Sequence, residues 1–218
     1  MANNSNKAYE FLYNAILSND LKPGTPISEA EIANKLGLSR TPVREAFKIL
    51  DKEGLVKQIP NRGTFVVEIT VQDIEEIFAL RELFEIYALK SACKFITDEI
   101  LDYIENEINS LDNNDSPEKF YEVDELLHST IINHSGNSRL INFRNMINSQ
   151  IMMIRRISSK YPLHFTIAKR EHKEIINALR SRDLKKCEAL LGSHIRDIKT
   201  RTIEILKYGN VNFDNIIE

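Results

Sequence analysis

The sequence predicts a mostly α-helical chain in two parts, and three observations carry that prediction. Capped stretches with helical spacing run through most of the 218 residues, the only strand-like stretch lies between Leu55 and Ile69, and no strand pattern returns after Thr70. The break between the parts falls there, at 1–69 and 70–218.

Asn4 to about Asn19 reads as an amphipathic helix whose apolar stripe is Ala8, Phe11, Leu12, Ala15 and Ile16. Lys22-Pro23-Gly24 is a turn, and Pro26-Ile27 leads to Ser28, which forms a capping box with Glu31 and starts a helix that ends at Gly37. Ser39 or Thr41 can cap the next helix, with Pro42 in its first turn, where a missing N–H costs nothing. In this helix Val43, Ala46, Phe47 and Leu50 face a core, while Arg40, Arg44, Lys48 and Lys52 line another side. Two strands follow, about Leu55 to Ile59 and Thr64 to Ile69, joined by a turn at Pro60-Asn61-Arg62-Gly63. Two short helices, a turn and a hairpin make a winged helix-turn-helix with Arg62 at the wing tip. Such a fold sets the front of its second helix against base edges in the major groove, where Arg40, Thr41 and Arg44 lie. Arginine can donate two hydrogen bonds to guanine, and threonine can meet a phosphate or a thymine methyl.

The stretch PGTPISEAEIANKLGLSRTPVREAFKILDKEGLVKQIPNRGTFV resembles the DNA-binding domain of the GntR family of bacterial transcription regulators, with SRTPVREA, EGLV and a wing glycine as its specific parts. The resemblance implies that Arg40, Thr41 and Arg44 contact DNA and that Gly63 lets the wing backbone approach the minor groove or a phosphate. Ala30 stands where the fatty-acid-responsive branch often has an arginine.

A net charge of -3 argues against indiscriminate nucleic-acid binding but leaves specific binding open, because the charge is distributed. Residues 1–70 carry nine Lys/Arg against eight Asp/Glu, so groove contacts must rest on the local arginine face and on doubling through a dimer. Cys93 and Cys187 have no disulfide or thiolate-metal spacing and read as small buried hydrophobes in a reduced compartment. The start, MANNSNKAYEF, has no secretory pattern, and no run is apolar enough to span a membrane, so the expected location is cytoplasmic.

Beyond Thr70, which forms a capping box with Asp73, the sequence predicts six helices: about Val71 to Phe95, Asp98 to Leu111, Pro117 to His134, Ser138 to Lys160, Leu163 to Arg180 and Leu184 to Tyr208. Thr97, Ser116 and Asp183 supply caps, and Ser135-Gly136-Asn137 closes the third. Short connections imply an antiparallel all-α bundle. A polar tail follows from Gly209.

Polar residues interrupt the inner faces of this bundle. Asp124 and His128 share the stripe of Phe120, Leu127 and Ile131; His172 shares that of Ala168, Ile175, Ile176 and Leu179; His194 that of Cys187, Leu190, Leu191 and Ile198. A carboxylate and three imidazoles in an apolar interior cost several kcal/mol, an order-of-magnitude figure, unless something neutralises them. A divalent cation would do so. Asp124 and His128 lie four residues apart, roughly 6 Å along a helix, and can reach one ion. His164 is too far from His172 to share it, and His134 turns away as a helix-end residue. Three nitrogens and one oxygen suit zinc, nickel, manganese or iron.

The segments LRELFEIYALKSA, VDELLHSTIINHSGNSRL, EHKEIINALRSRD and the late SHI resemble the FCD effector domain of one GntR subfamily, that of the fatty-acid regulator FadR. Many such domains hold a metal with one aspartate and three histidines, which implies Asp124, His128, His172 and His194 here. Six helices are more similar to the VanR-like branch. The implied function is a ligand-responsive transcriptional regulator, most often a repressor, that binds a palindromic operator as a homodimer and responds to a small carboxylate. Arg81, Arg155, Arg156 and Asn137 are candidates to meet that effector, although Asn137 also reads as a helix cap. Two rival readings are a DNA-binding dimer with a purely structural metal and a metalloenzyme; against the latter, no candidate base stands beside the ligands.

Overall fold

In the computed structural model, residues 2–112, 115–158 and 162–209 are described, and the side chain of His164 and the tail beyond Gly209 lie outside them. The chain divides into two compact units, one of residues 1–70 with 146–153 and one of 71–145 with 154–218.

In the first unit α1 (Ala2–Leu17), α2 (Glu29–Leu36) and α3 (Arg40–Lys52) surround a core that α3 supplies with Val43, Ala46, Phe47 and Leu50. The boundaries of α2 have local causes. Ser28 accepts the amide N–H of Glu31 at 3.3 Å to start α2, and Gly37 ends it in the left-handed region at φ 66°, which lets its N–H reach back to Ala33 and Asn34. Ser39, in extended conformation, precedes α3, which leaves Thr41 and Pro42 inside the first turn. The strands are β1 (Pro26–Ile27), β2 (Val56–Ile59) and β3 (Gly63–Val66), in the antiparallel order β1-β3-β2.

Two details differ from the sequence expectation. Pro26-Ile27 is a third strand, pairing with Phe65 and Thr64, and two residues are too few to display an alternation. The wing strands are also shorter than expected, because Val56 with Val66 is the last pair of the β2–β3 ladder and Leu55 turns into the core instead. The hairpin turns where Arg62 N–H bonds the Ile59 carbonyl at 3.0 Å and Asn61 takes φ 61°.

The second unit holds α4 (Val71–Phe95), α5 (Asp98–Ser110), α6 (Pro117–Asn133), α7 (Ser138–Ser158, whose middle counts with the first unit), α8 (Pro162–Arg180) and α9 (Leu184–Tyr208). Ser116 and Asp183 cap α6 and α9 through their side chains. Within the unit α4 packs along α9 and α6, α8 along α9, and α5 against α6 and α8. Cys93 and Cys187 are both buried and free, and burial, with Cys93 beside it, pushes the Cys187 thiol up to about 12, so it is no thiolate at neutral pH. No helix among the described residues is long and apolar enough to cross a membrane.

Phe47 is wholly buried in the first unit's core. Phe47→Ala should destabilise that unit by about 3–5 kcal/mol, the usual cost of an aromatic-sized cavity. Urea denaturation followed by circular dichroism measures this, and a loss under about 1 kcal/mol would mean that the site collapses around the deletion.

Candidate functional site

Two sets of polar residues stand out, one in each unit. In the first, Arg40, Thr41 and Arg44 open α3 and are all exposed, as are Arg62 and Gly63 at the wing tip. Four buried apolar residues pin the opposite face of α3, so its cationic side is held outward by packing rather than by its own contacts. Arg44 Nε donates to Glu29 Oε2 at 2.8 Å in an exposed ion pair, of the kind that contributes little stability and exchanges easily. The Arg62 guanidinium lies 5.9 Å from the centre of the Phe65 ring. Gly63 has φ 103°, and a Cβ built there meets nothing within 4 Å, so the backbone stays bare and approachable.

In the second unit, Asp124 and His128 come from α6, His172 from α8 and His194 from α9, and all four are buried. Their ligand atoms lie within 4.8 Å of one another. His172 Nε2 is 3.2 Å from both Asp124 Oδ1 and His194 Nε2, His194 Nε2 is 3.3 Å from His128 Nε2, and His128 Nε2 is 3.8 Å from Asp124 Oδ1. Ligands at about 2.0–2.1 Å from a tetrahedral zinc lie roughly 3.3–3.4 Å apart, so the donor set fits one cation of that size.

The outer atoms of the rings decide what the inner atoms can be. His128 Nδ1 is 2.6 Å from Glu85 Oε2 and His194 Nδ1 is 2.7 Å from Glu171 Oε2. A carboxylate accepts, so each Nδ1 carries the proton and, in the neutral ring, each Nε2 turns a lone pair inward. Burial keeps both rings neutral. It lowers His128 against the pull of Glu85, and it lowers His194 further with the help of the neighbouring His172 and His128. Two lone pairs 3.3 Å apart repel unless a cation lies between them. Burial alone would push the Asp124 carboxyl up, but the Arg155 guanidinium beside it holds it well below the usual range.

A second feature adjoins this cluster. Arg81 is wholly buried on α4, and its Nε donates to Glu85 Oε1 at 2.8 Å. Its Nη1 and Nη2 have no hydrogen-bond partner among the described residues. Arg155 Nη2 lies 2.6 Å from Asp124 Oδ2, and its Nη1 donates to Glu125 at 2.9 Å. Arg81, Asp124 and Arg155 line a cavity of about 20 Å³ together with Phe120, Tyr121, Phe165, Ala168 and Ile198. Arg156 instead pairs with Glu118 at the surface. The Asn137 side-chain oxygen accepts from the N–H groups of Arg139 and Leu140, which makes it the cap of α7. His134 bonds the Thr130 carbonyl at the end of α6.

Glu85 and Glu171 escaped the sequence reading, although a signal for Glu85 existed. Arg81 and Glu85 interrupt the stripe Ile74, Ile77, Phe78, Ala88, Leu89 and Ala92 at core positions of α4, a pattern that marks a buried ion pair. Glu171 had no such mark, because it lies next to His172 and its neighbour across the bundle is set by tertiary packing.

The buried histidines make a pH test possible. Their folded pKa values lie below the ordinary 6.5, so the unfolded chain takes up more protons once the pH drops under that value. The contribution is complete above the unfolded value and is lost as the pH falls toward the folded ones. Metal-free protein should therefore melt at progressively lower temperature from about pH 6.5 down, and His194→Phe should flatten that slope. A melting point that holds steady from about pH 7 to about pH 5 would contradict neutral buried rings.

Comparison with known proteins finds two family patterns in the chain. The sequence pattern described as "Bacterial regulatory proteins, gntR family" matches residues 4–66, and the FCD domain pattern matches residues 76–197. The transcriptional repressor RspR of Escherichia coli is 24% identical over 200 residues, covering 90% of this chain and 88% of its own. A GntR regulator from Rhodococcus sp. RHA1 shares the fold at a TM-score of 0.74 and 21% identity, over 91% of this chain and 97% of that one. The FCD domain of the regulator TM0439 has been solved metal-free and with Zn2+ bound; the zinc form is 26% identical, with a TM-score of 0.55 over 66% of this chain and 99% of that one. Exposed arginines on a winged helix, followed along the chain by a polar-cored helical domain, thus have their counterpart in a known pairing: the chain belongs to the GntR family of DNA-binding transcriptional regulators, among those that carry an FCD domain.

Proposed function

We propose that this chain is a homodimeric repressor, of the VanR-like branch of the FadR subfamily, whose helical domain holds a divalent metal and senses a small carboxylate. The observation that carries the reading is the buried set of three imidazole nitrogens and one carboxylate oxygen facing one another, beside a buried Arg81 guanidinium with two unpartnered nitrogens. Asp124, His128, His172 and His194 would hold zinc, nickel, manganese or iron, and the bound ion would supply a Lewis-acidic point for an acid's carboxylate. Arg81 would take its anionic part by bidentate hydrogen bonds, and Arg155, held by Asp124 and Glu125, would add its charge beside it. Asn137 keeps its capping role.

The cavity volume bears on how such a sensor works. About 20 Å³ holds a single water, so any organic acid must displace wall side chains such as Phe165 to enter. A ligand that fits only a displaced wall binds one conformation better than another, which is the energetic requirement for a switch. The same small volume favours one alternative, in which the ion is purely structural and the domain only dimerises.

For the DNA half, Arg40, Thr41 and Arg44 would read base edges, with Arg62 and the bare Gly63 backbone at the flanking groove or phosphate. Arg44 would exchange Glu29 for DNA. A dimer doubles these few contacts on a palindrome. The exposed Leu83 and Tyr87 on α4 give the helical domain an apolar face that a second copy would cover. RspR, a repressor by name, supports the sign of regulation. The location that fits this role is the cytoplasm.

Two experiments test the reading. Arg44→Ala should cost about 1–3 kcal/mol of operator affinity per half-site in a gel shift, with metal content and dimer unchanged; undiminished sequence-specific binding would remove Arg44 from the interface. Elemental analysis of the purified protein should find one divalent ion per chain, and His128→Ala and His172→Ala should each deplete it. Small carboxylates at about a hundredfold their Kd should then stabilise the wild type by about 2.7 kcal/mol in thermal shift, an effect that metal-depleted variants lack. Metal without any acid response would leave the structural alternative.

A further inference from the structure

We infer that Glu85 and Glu171 are the positioning residues of the metal centre, and that Glu85 also aims Arg81, so that one buried carboxylate sets both the metal face and the anion face of the site. The inference rests on the metal reading above and names the residues on which its strength depends.

The geometry is specific. Glu85 spends Oε2 on His128 Nδ1 at 2.6 Å and Oε1 on Arg81 Nε at 2.8 Å, and all three side chains are wholly buried. With Nε engaged, the Arg81 fork is oriented and its Nη1 and Nη2 remain for a ligand. Glu171 holds His194 Nδ1 at 2.7 Å and is steadied by Arg201 Nη2 at 3.5 Å. Each of the two rings is therefore fixed in the tautomer and rotation that turn Nε2 inward, as carboxylate–histidine–metal triads require.

Glutamine at either position keeps the shape and destroys the logic. In Glu85→Gln the amide can accept from only one of its two neighbours, and its NH2 group must face either Arg81 Nε–H or His128 Nδ1. If it faces His128, the ring must accept there and carry its proton on Nε2, where it blocks the metal. In Glu171→Gln the amide leaves His194 free to adopt either tautomer.

The test uses full-length protein and Zn2+ alone as the probe, in competition with a chelator. Each variant should bind zinc about 10–100-fold more weakly than wild type, with an unchanged circular dichroism spectrum. Nitrogen-15 spectra of the metal-free protein give a readout that a merely structural role would not move. Wild type should show Nδ1–H tautomers for His128 and His194, and Glu171→Gln should lose that preference at His194 alone. Should Glu85→Gln fail to fold, Glu171→Gln decides the matter, since Glu171 lies partly exposed at the edge of the cluster. Wild-type zinc binding with both variants within twofold of it would overturn the positioning roles and leave the metal reading standing. Nε2–H tautomers in the wild type would overturn them as well, and a wild type that binds no zinc would remove the metal reading itself.

Discussion

A buried polar group must be paired, and that constraint organises the second half of this protein. An apolar bundle that takes in arginines, carboxylates and imidazoles loses several kcal/mol for each charge left alone, by order of magnitude. The observed answer is a connected chain of partners. Arg81 meets Glu85, Glu85 meets His128, Arg155 bridges Asp124 and Glu125, Arg144 also holds Glu125, and Arg201 and His194 share Glu171. These residues come from α4, α6, α7, α8 and α9, so the network specifies which helix faces meet and in what register. Apolar packing alone would tolerate a sliding helix; a hydrogen-bonded carboxylate between two helices does not.

The winged helix works from the opposite principle. Its core is built on apolar residues, Val43, Ala46, Phe47 and Leu50 among them, and the arginines at the front of α3 face water. Nothing in that core depends on Arg40 or Arg44, so those side chains are free to serve a partner without cost to the fold. In the helical domain, site and core are the same atoms. A change at His128 is at once a change in chemistry and a change in packing.

This difference explains what was legible in the sequence. Helix limits from α4 to α9 could be read closely because caps and breakers such as Ser116, Pro117 and Asp183 act locally. The ligand-type residues could be read because a polar residue on an apolar stripe contradicts its surroundings. β1 could not, since a two-residue strand exists only through its pairing with β3. Glu171 could not, since its partner is twenty-three residues away on another helix. Arg81 was legible as a candidate for an anion, and its interruption of the apolar stripe of α4 together with Glu85 carried the mark of its burial. Arg156 and Asn137 show the converse. Their residue types suit an anion, and local geometry assigns them to a surface pair and a helix cap.

Charge balance carries the argument one step further. Around the cluster stand four guanidiniums, of Arg81, Arg144, Arg155 and Arg201, against four carboxylates, of Glu85, Asp124, Glu125 and Glu171. With the imidazoles neutral, these charges cancel. A divalent ion entering the cluster would relieve the repulsion between the inward nitrogens and at the same time leave two positive charges uncompensated in a low-dielectric interior. Hydroxide or one carboxylate would cancel half of that excess and a dianionic acid all of it, and the unpartnered nitrogens of Arg81 mark where such an anion would be held. On this view metal and anion would be coupled by electrostatics before they touch. Each would lower the cost of burying the other, which is the energetic condition under which a bound cation would favour an acid.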